Sequence, residues 1–377
     1  MGIKILATAD LHLGMKFAAY PEVQAELAEA RYETLARLVD TANREKCNLF
    51  LVAGDLFHRA TAAKKDIVRA AGLLAEFQGE CAAVLPGNHD YYAGSSGSLW
   101  SSFREHAGDR VLLLDQRKIY DLNHYGLAAW LYPGPCDAKH SAENAISWLS
   151  PPAKSPKGGE APKGHLRIGV AHGSVEGRSP DAQGVYFHMT REELRRAGLD
   201  LWVVGHTHGQ FPRGDEEADP VFIPGCPEPD GFDCSHEGKA WLLTAGADGD
   251  VRWQSLSTGA YRFQRRELTL NKDSDLKALF EAYRSGDFSR TLLRLELKGR
   301  LSAEKMREVR EAMDALVESV FWLRVDDGDL SEEITLKRLQ AEFSTGSFPY
   351  LLLERLIEAK DSEALQLAYA LIQEART

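Results

Sequence analysis

The chain of 377 residues has few cysteines and no long apolar run. Its five cysteines are odd in number and include no Cys-x-x-Cys pair, which argues against a disulfide framework and against a zinc knuckle. No apolar run reaches the roughly 18 to 20 residues of a membrane span, and the N-terminal sequence is strand-like rather than typical of a signal peptide. We therefore expect a cytoplasmic protein that does not contact a membrane.

Basic residues are outnumbered, with 45 Lys and Arg against 56 Asp and Glu and a net charge of −11. The chain thus lacks the overall basic field of a protein that coats duplex DNA, and any contact with nucleic acid must be local or carried by bound cations. Histidine is missing from the C-terminal third, since all 12 histidines lie at or before His236. A chemical centre that uses imidazole must lie in the first two-thirds of the chain.

Apolar, β-prone segments alternate with helical periodicity in the N-terminal part of the chain. Strands are predicted at 3–9, 49–53 and 81–85, with helices at 21–46, 64–78 and 99–106. This alternation is typical of a mostly parallel sheet covered by helices. Later strand-like segments extend to residue 256, and the closing ones lack intervening helices. They predict a second, more antiparallel sheet.

The pattern changes after about residue 266. A strand at 292–297, a helix at 303–320 and a strand at 321–325 predict a compact β-α-β unit, and the chain is predicted to be helical from Leu330 onward. We therefore predict three parts, which are a main domain at 1–265, a small domain at 266–335 and a helical C-terminal region at 336–377.

Polar side chains follow five of the predicted strands at their C-terminal ends. The motifs are Asp10-Leu11-His12, Gly54-Asp55, Gly87-Asn88-His89-Asp90, His172-Gly173 and Gly205-His206-Thr207-His208. Ligands of open α/β sheets collect at this edge. We take seven of these side chains as candidate metal ligands, namely Asp10, His12, Asp55, Asn88, His172, His206 and His208. Seven ligands are too many for one tetrahedral zinc but suit two octahedral ions that share a carboxylate.

The mixed oxygen and nitrogen donors favour manganese or iron, with zinc as an alternative. Two ions about 3.5 to 4 Å apart lower the pKa of a bridging water and clamp the oxygens of a displacement at phosphorus, which predicts phosphoester hydrolysis by a bridging hydroxide. His89 is not among the candidate ligands. We expect it to protonate the leaving alkoxide or to stabilise the transition state, and we expect the adjacent carboxylate of Asp90 to orient its ring.

In this order the motifs resemble those of the calcineurin-like metallophosphoesterases, over about residues 3 to 260. The resemblance implies a four-layer α/β/β/α sandwich of two sheets flanked by helices. Three segments are similar to the SbcD branch, which comprises nuclease subunits of double-strand-break repair complexes and the YhaO-type exonucleases. These segments are Asp10–Gly14, Ala53–His58, and Pro224–Glu228 followed by Glu237-Gly238-Lys239.

The same resemblance implies a division of the ligands between two metals. One metal would be held by Asp10, His12, Asp55 and His208, and the other by Asp55, Asn88, His172 and His206. His89 would act on the leaving group, and His58 would stand near the phosphate. Cys226 stands where this branch usually has a small residue such as serine. We assign no function to His124, His140, His165, His188 and His236.

By this resemblance the favoured function is a DNA exo- or endonuclease with two manganese ions. The β-α-β unit would cap the active-site edge, and the helical C-terminal region would dock a coiled-coil ATPase of the SbcC or YhaN kind. A homodimer is a further expectation. The alternative is a stand-alone phosphodiesterase or phosphatase that acts on a small nucleotide or a phosphoprotein. A non-catalytic scaffold is disfavoured because every expected ligand is present.

Overall fold

The computed structural model of the protein describes residues 2–94, 98–156, 162, 164–213, 220–234, 236–246, 250–271, 281, 283 and 286–376. The chain divides into two compact units, Met1–Phe263 and Gln264–Thr377. The predicted division into three functional parts stays a prediction. Among the described residues, we find no helix that could span a membrane.

The first unit is built from eleven described strands and four described α-helices. The strands are β1 (Ile3–Thr8), β2 (Leu49–Ala53), β3 (Cys81–Leu85), β4 (Val111–Leu113), β5 (Tyr120–Asp121), β6 (Ala129–Gly134), β7 (Leu166–His172), β8 (Leu201–Gly205), β9 (Val221–Phe222), β10 (Lys239–Ala245) and β11 (Val251–Ser257). The helices are α1 (Gln24–Arg44), α2 (Lys64–Ala75), α3 (Leu99–His106) and α4 (Arg191–Arg196). The sequence predicts the first three helices but not α4, which has a single buried residue, Leu194.

These strands form two sheets. The six-stranded sheet has the order β11-β10-β1-β2-β3-β4, and the five-stranded sheet has the order β5-β6-β7-β8-β9. Strands β1 to β4 are parallel, as predicted. The prediction that the closing strands form a second, more antiparallel sheet is wrong. Strands β10 and β11 instead pair antiparallel at the open edge of β1, whereas the second sheet is parallel except between β5 and β6. A missing helix between strands indicates antiparallel pairing but does not indicate which sheet edge accepts the strand.

Alternating side chains explain the layers. Ile5 of β1 packs in one cluster with Ile168 of β7, so the two sheets face each other. Leu6 points the other way and packs against Leu35 of α1, because successive residues of a strand face opposite sides. On the far side of the second sheet, Trp202 packs with Leu194 of α4. The architecture is therefore the predicted four-layer α/β/β/α sandwich.

The second unit contains a three-stranded sheet and four described helices. Its elements are β12 (Arg262–Leu270), which begins in the first unit, β13 (Thr291–Leu301), α5 (Ala303–Val317), β14 (Trp322–Glu332), α6 (Leu336–Glu342), α7 (Phe348–Glu358) and α8 (Ser362–Glu374). Strands β13 and β14 are parallel neighbours, and α5 connects them, so the predicted β-α-β unit is confirmed with longer strands. Helices α6 to α8 share a small core around Leu339, Leu353 and Leu365.

Candidate metal centre

The five strand-end motifs meet where the carboxyl ends of the two sheets come together. Strands β1, β2 and β3 of the first sheet deliver Asp10, His12, Asp55 and Asn88, and strands β7 and β8 of the second deliver His172, His206 and His208. Backbone bonds join neighbouring loops, since the Asp10 amide donates to Gly54 O at 3.1 Å and the His12 amide donates to Asp55 O at 3.0 Å. All seven predicted ligands therefore lie at one site.

The backbone at this site is held in an unusual conformation. Asp10, His12, Asp55 and His206 have φ values of 55°, 47°, 52° and 93°, a region that non-glycine residues seldom occupy. Such strain persists where surrounding structure fixes it, and it concentrates at functional sites. Gly54 permits the close packing, because a Cβ atom there would lie 2.1 Å from Nδ1 of His172.

One group of ligand atoms is formed by Asp10, His12 and His208, whose donor atoms all lie within 4.8 Å of one another. Asp10 and His12 are buried, and His208 is partly exposed. Among the described residues, Nδ1 of His12 has no hydrogen-bond partner. A buried polar atom without a partner is costly unless an ion or water satisfies it.

A second group lies around Asn88. Its Oδ1 atom is 3.0 Å from Nε2 of His172 and 3.3 Å from Nδ1 of His206. The carboxylate of Asp55 lies between the two groups, since its Oδ2 atom is 3.4 Å from Nε2 of His172 and 3.8 Å from Nε2 of His12. Asp55 is thus placed to contact both groups, and its carboxylate also lies within 4.8 Å of ligand atoms of Asp10 and His172.

The tautomer of His172 tests whether these residues fit a cation. Its Nδ1 lies 2.9 Å from the carbonyl oxygen of Ala53, which can only accept, so Nδ1 carries a proton. In a neutral ring, Nε2 is then an acceptor that faces the acceptor Oδ1 of Asn88. Two lone pairs at this distance repel unless a proton or a metal ion lies between them. The residues therefore fit a divalent cation.

Burial sets the pKa values of several of these groups. Burial raises the pKa of Asp10 to about 6, lowers that of His206 to about 3 and lowers that of His12 well below its ordinary value. Burial would also raise the pKa of Asp55, but the positive charge of His172 holds it below its ordinary value. Burial would likewise lower the pKa of His172, yet the Asp55 carboxylate raises it to about 9. Neutral rings at His12 and His206 are the form that binds a metal.

The predicted catalytic residues lie beside this centre. The His89 ring is 4.8 Å from the His12 ring, and its Nδ1 lies 3.2 Å from the carbonyl oxygen of His58. The His58 ring lies 5.6 Å from both the His12 and the His89 rings. Asp55 Oδ1 also accepts a hydrogen bond of 2.9 Å from the His89 amide. His89 is therefore connected to the centre through its backbone and carries its ring at the edge of the site.

Asp90 has a different place from the one predicted. Its carboxylate accepts hydrogen bonds from the amides of Phe57, at 2.9 Å, and Gly87, at 2.7 Å, and among the described residues it makes no hydrogen bond with the His89 ring. Burial raises the pKa of Asp90 to about 8, and the charge of Asp55 adds to the effect. Asp90 therefore fixes the loops after β2 and β3 instead of orienting the imidazole of His89.

Asp230 and Arg31 lie next to His208 and the other predicted ligands, and the sequence did not indicate either residue. Asp230 Oδ2 lies 3.5 Å from Nδ1 of His208 and 3.9 Å from Nη2 of the buried Arg31. Burial would lower the pKa of His208, but Asp230 and Asp10 raise it to about 9. Arg31 also donates to the carbonyl oxygen of Leu11 at 2.7 Å, next to the predicted ligands. Asp230 follows a proline in a loop, and neither periodicity nor a motif marks it.

The loop before β10 also holds a cluster that sequence reasoning missed. The sulfur atoms of Cys226 and Cys234 are 3.5 Å apart, and Nε2 of His236 lies 3.2 Å from the Cys234 sulfur. The Cys226 thiol and His236 lower the pKa of Cys234 to about 5, and the contact with Cys234 raises that of Cys226. The spacing of the two cysteines matches no common motif, and His236 was assigned no function.

The chain is similar in sequence to known phosphoesterases. Residues 3–210 match the family model for calcineurin-like phosphoesterases. The chain is also similar to the uncharacterized metallophosphoesterase YhaO of Bacillus subtilis (strain 168), with 23% identity over 290 residues, which cover 74% of this chain and 66% of that protein. The match thus spans just under two thirds of the length of YhaO.

Two solved structures are also similar to the chain. The crystal structure of TT1561 of Thermus thermophilus has 14% identity, covers 67% of this chain and 99% of its own, and has a TM-score of 0.39. The crystal structure of the calcineurin-like phosphoesterase YfkN from Bacillus subtilis has 15% identity, covers 68% of this chain and 90% of its own, and has a TM-score of 0.40.

Proposed function

The chain belongs to the calcineurin-like phosphoesterase family and is a metal-dependent phosphoester hydrolase, and we propose that its substrate is the phosphodiester backbone of DNA. The observation that carries the chemistry is the position of the Asp55 carboxylate, which lies 3.4 Å from His172 and 3.8 Å from His12, between two groups of ligands. We propose two divalent cations at this centre, with manganese favoured by the oxygen and nitrogen donors and iron or zinc as alternatives.

Two cations bound there would supply Lewis acidity at the phosphoryl oxygens and a water nucleophile of lowered pKa. The chain's own residues then orient the reaction. Because the His58 carbonyl accepts from Nδ1 of His89, Nε2 is the nitrogen of this ring that can act on the leaving group. In the imidazolium form, Nε2 would deliver its proton to the leaving alkoxide. The Asp55 carboxylate accepts a hydrogen bond from the His89 amide, and this bond keeps the His89 ring beside the ligands. His58, half-buried and next to both His12 and His89, is proposed to contact the phosphate.

Local positive charge supports a nucleic-acid substrate despite the acidic chain. A cavity of about 420 Å³ is lined by Arg178, Arg213, His206 and His208, and by one acidic residue, Asp233. Both guanidinium groups stack on the Phe211 ring, 4.8 and 4.3 Å from its centroid. Arginine is the preferred side chain for phosphate, and most protein–DNA hydrogen bonds go to the backbone. The β-α-β unit that follows the hydrolase region, as in the SbcD branch, also supports the DNA proposal.

The experiment is a comparison of substrates. The purified protein with manganese is incubated with end-labelled single-stranded and duplex DNA, and in parallel with a cyclic nucleotide and a phosphopeptide. We expect cleavage of DNA, and an Arg178→Ala/Arg213→Ala double variant should weaken DNA binding more than hydrolysis of a small diester. Turnover of the cyclic nucleotide or the phosphopeptide without cleavage of DNA would overturn the proposal and favour the stand-alone phosphodiesterase or phosphatase.

We also propose that the C-terminal helices dock a coiled-coil ATPase. Phe348 and Leu351 of α7 and Leu367 and Leu371 of α8 are exposed apolar side chains, and Phe348 is 75% exposed. An apolar helical face of this kind fits helix-in-groove or coiled-coil recognition. A Phe348→Ser/Leu367→Ser variant should lose co-purification with such an ATPase while it still hydrolyses a small diester. Unchanged co-purification would contradict this docking, and self-association that is lost in the same variant would instead favour a homodimer.

A further inference from the structure

Two cysteines and a histidine that do not belong to the seven predicted ligands meet beside His208. The sulfur atoms of Cys226 and Cys234 are 3.5 Å apart, and Nε2 of His236 is 3.2 Å from the sulfur of Cys234 and 3.8 Å from that of Cys226. Both cysteines are buried, and Cys234 lines the same cavity as His206 and His208. The two sulfurs and the imidazole nitrogen could together bind a zinc ion, or the two sulfurs could be oxidised to a disulfide.

The distances alone would allow zinc. Tetrahedral zinc places two thiolate sulfurs about 3.8 Å apart and a sulfur about 3.5 Å from a ring nitrogen, if its usual bond lengths are used. The tautomer of His236 argues against a zinc ion. Its Nδ1 accepts a hydrogen bond of 3.1 Å from the Gly238 amide, so the ring proton is on Nε2, which donates to the carbonyl of His208. Zinc at Nε2 would require the opposite tautomer, whose Nδ1 proton would face the Gly238 proton.

We propose that Cys226 and Cys234 are an oxidisable thiol pair that a hydroperoxide converts into a disulfide, and that this disulfide alters the position of His208. Formation of the disulfide does not depend on the proposed function. The effect on the metal centre rests on it, because His208 is one of the proposed ligands.

Cys234 is the residue whose sulfur reacts with the hydroperoxide. It is 6% exposed and lines the cavity, whereas Cys226 is fully buried. The Cys234 sulfur attacks one peroxide oxygen, so that the O–O bond breaks, an S–O bond forms and the other oxygen leaves as water or an alcohol. The Cys226 sulfur then attacks the Cys234 sulfur, so that an S–S bond forms, the S–O bond breaks and the Cys226 proton leaves with hydroxide as water. Two thiols lose two electrons, and one hydroperoxide gains them.

Three contacts transmit the change to His208. The Cys226 amide donates to the His208 carbonyl at 3.1 Å, and His236 donates to the same oxygen. Asp230, which lies between the two cysteines in the chain, is 3.5 Å from Nδ1 of His208. A disulfide needs the two sulfurs about 2.05 Å apart, so they must approach from 3.5 Å. We expect this approach to shift the residues that make these three contacts, and His208 with them.

The experiment treats the reduced full-length protein with one equivalent of hydrogen peroxide, blocks free thiols with N-ethylmaleimide in denaturant and maps the peptides by mass spectrometry. We expect a Cys226–Cys234 disulfide, with Cys47, Cys81 and Cys136 alkylated. The Cys226→Ser and Cys234→Ser variants should not form this disulfide. The Cys47→Ser variant, which removes a buried thiol elsewhere, is the control and should still form it. Manganese affinity, measured by calorimetry so that no turnover is needed, should fall on the order of tenfold and recover with dithiothreitol.

Other results would overturn the proposal. Irreversible oxidation of Cys234 without a disulfide would contradict the pairing of the two thiols. A zinc ion that the reduced protein retains and that both serine variants lose would show that the cluster is a metal site. A disulfide with unchanged manganese affinity would contradict the coupling to His208. A reduced protein that binds manganese but cleaves no phosphodiester would contradict the proposed function alone.

Discussion

Nε2 of His172 and Oδ1 of Asn88 lie 3.0 Å apart, although both are acceptors when the imidazole is neutral. The Ala53 carbonyl fixes the proton of His172 on Nδ1, and Asp55 lies 3.4 Å from Nε2. Three electron-rich atoms from three different strands thus face the same point. In the metal-free protein a proton on Nε2 stabilises this geometry, because the pKa of His172 is raised to about 9. A metal ion that replaces this proton would have the same three donors around it, which is the physical basis of the proposed metal centre.

The first prediction concerns Asn88. Asn88→Ala removes one ligand and relieves the contact with His172, so we expect about one bound manganese per chain in place of two and a loss of activity of about a hundredfold or more. Elemental analysis and hydrolysis of a small diester measure both effects. Asn123→Ala, which changes an exposed asparagine, is the control and should behave like the wild type. Full occupancy and full activity of Asn88→Ala would contradict the proposed ligand set.

A second prediction concerns protons. In the metal-free protein the pKa values of His172 and His208 are both raised to about 9, so both rings are protonated at pH 7.5. Metal binding requires the neutral rings, and it should therefore release close to two protons at this pH. The apparent affinity for manganese should rise with pH and level off above about 9. Calorimetry in buffers of different ionisation enthalpy measures the release, and heats that do not depend on the buffer would contradict it.

The third prediction separates His89 from the ligands. His89→Ala should keep both metals, because no ligand is removed, but its rate with an alkyl leaving group should fall by about 10² to 10⁴. With a p-nitrophenyl leaving group, which needs little protonation, the loss should be much smaller. Rates for the two substrates, together with metal analysis, test this. Equal losses for both leaving groups would show that His89 does not protonate the alkoxide.

The fourth prediction concerns Asp90. Asp90→Ala leaves the buried amides of Phe57 and Gly87 without an acceptor, at a cost of about 1 to 3 kcal/mol each in the free energy of unfolding. Asp90→Asn keeps one acceptor oxygen, so its free energy of unfolding should fall by less than that of Asp90→Ala. Urea unfolding of the metal-free variants measures the difference, with the exposed Asp109→Ala as the control. If Asp90 acted only by orienting His89, activity would fall while stability stayed the same.

The sequence predicts the centre better than its surroundings. Asp10, Asp55 and Asn88 each follow an apolar run, and parallel strands end at a shared edge, so their meeting follows from local pattern. The position of Asp230, by contrast, depends on how a long loop folds back on His208. No periodic signal encodes that path.

The same reason explains two other differences. Cys226 and Cys234 come together because of a loop conformation, not because of a spacing motif. The carboxylate of Asp90 follows His89 in the chain, which suggested that it orients the imidazole, yet it is turned toward the amides of Phe57 and Gly87. Adjacency in sequence does not fix the direction of a side chain in a tight turn.

The most direct test of the account is a crystal structure of the protein with manganese, with anomalous scattering measured to locate the ions. We predict two peaks per chain, about 3.5 to 4 Å apart, with the Asp55 carboxylate between them. One peak should be surrounded by Asp10, His12 and His208, and the other by Asn88, His172 and His206. A single peak, or two peaks that do not share Asp55, would contradict the central claim.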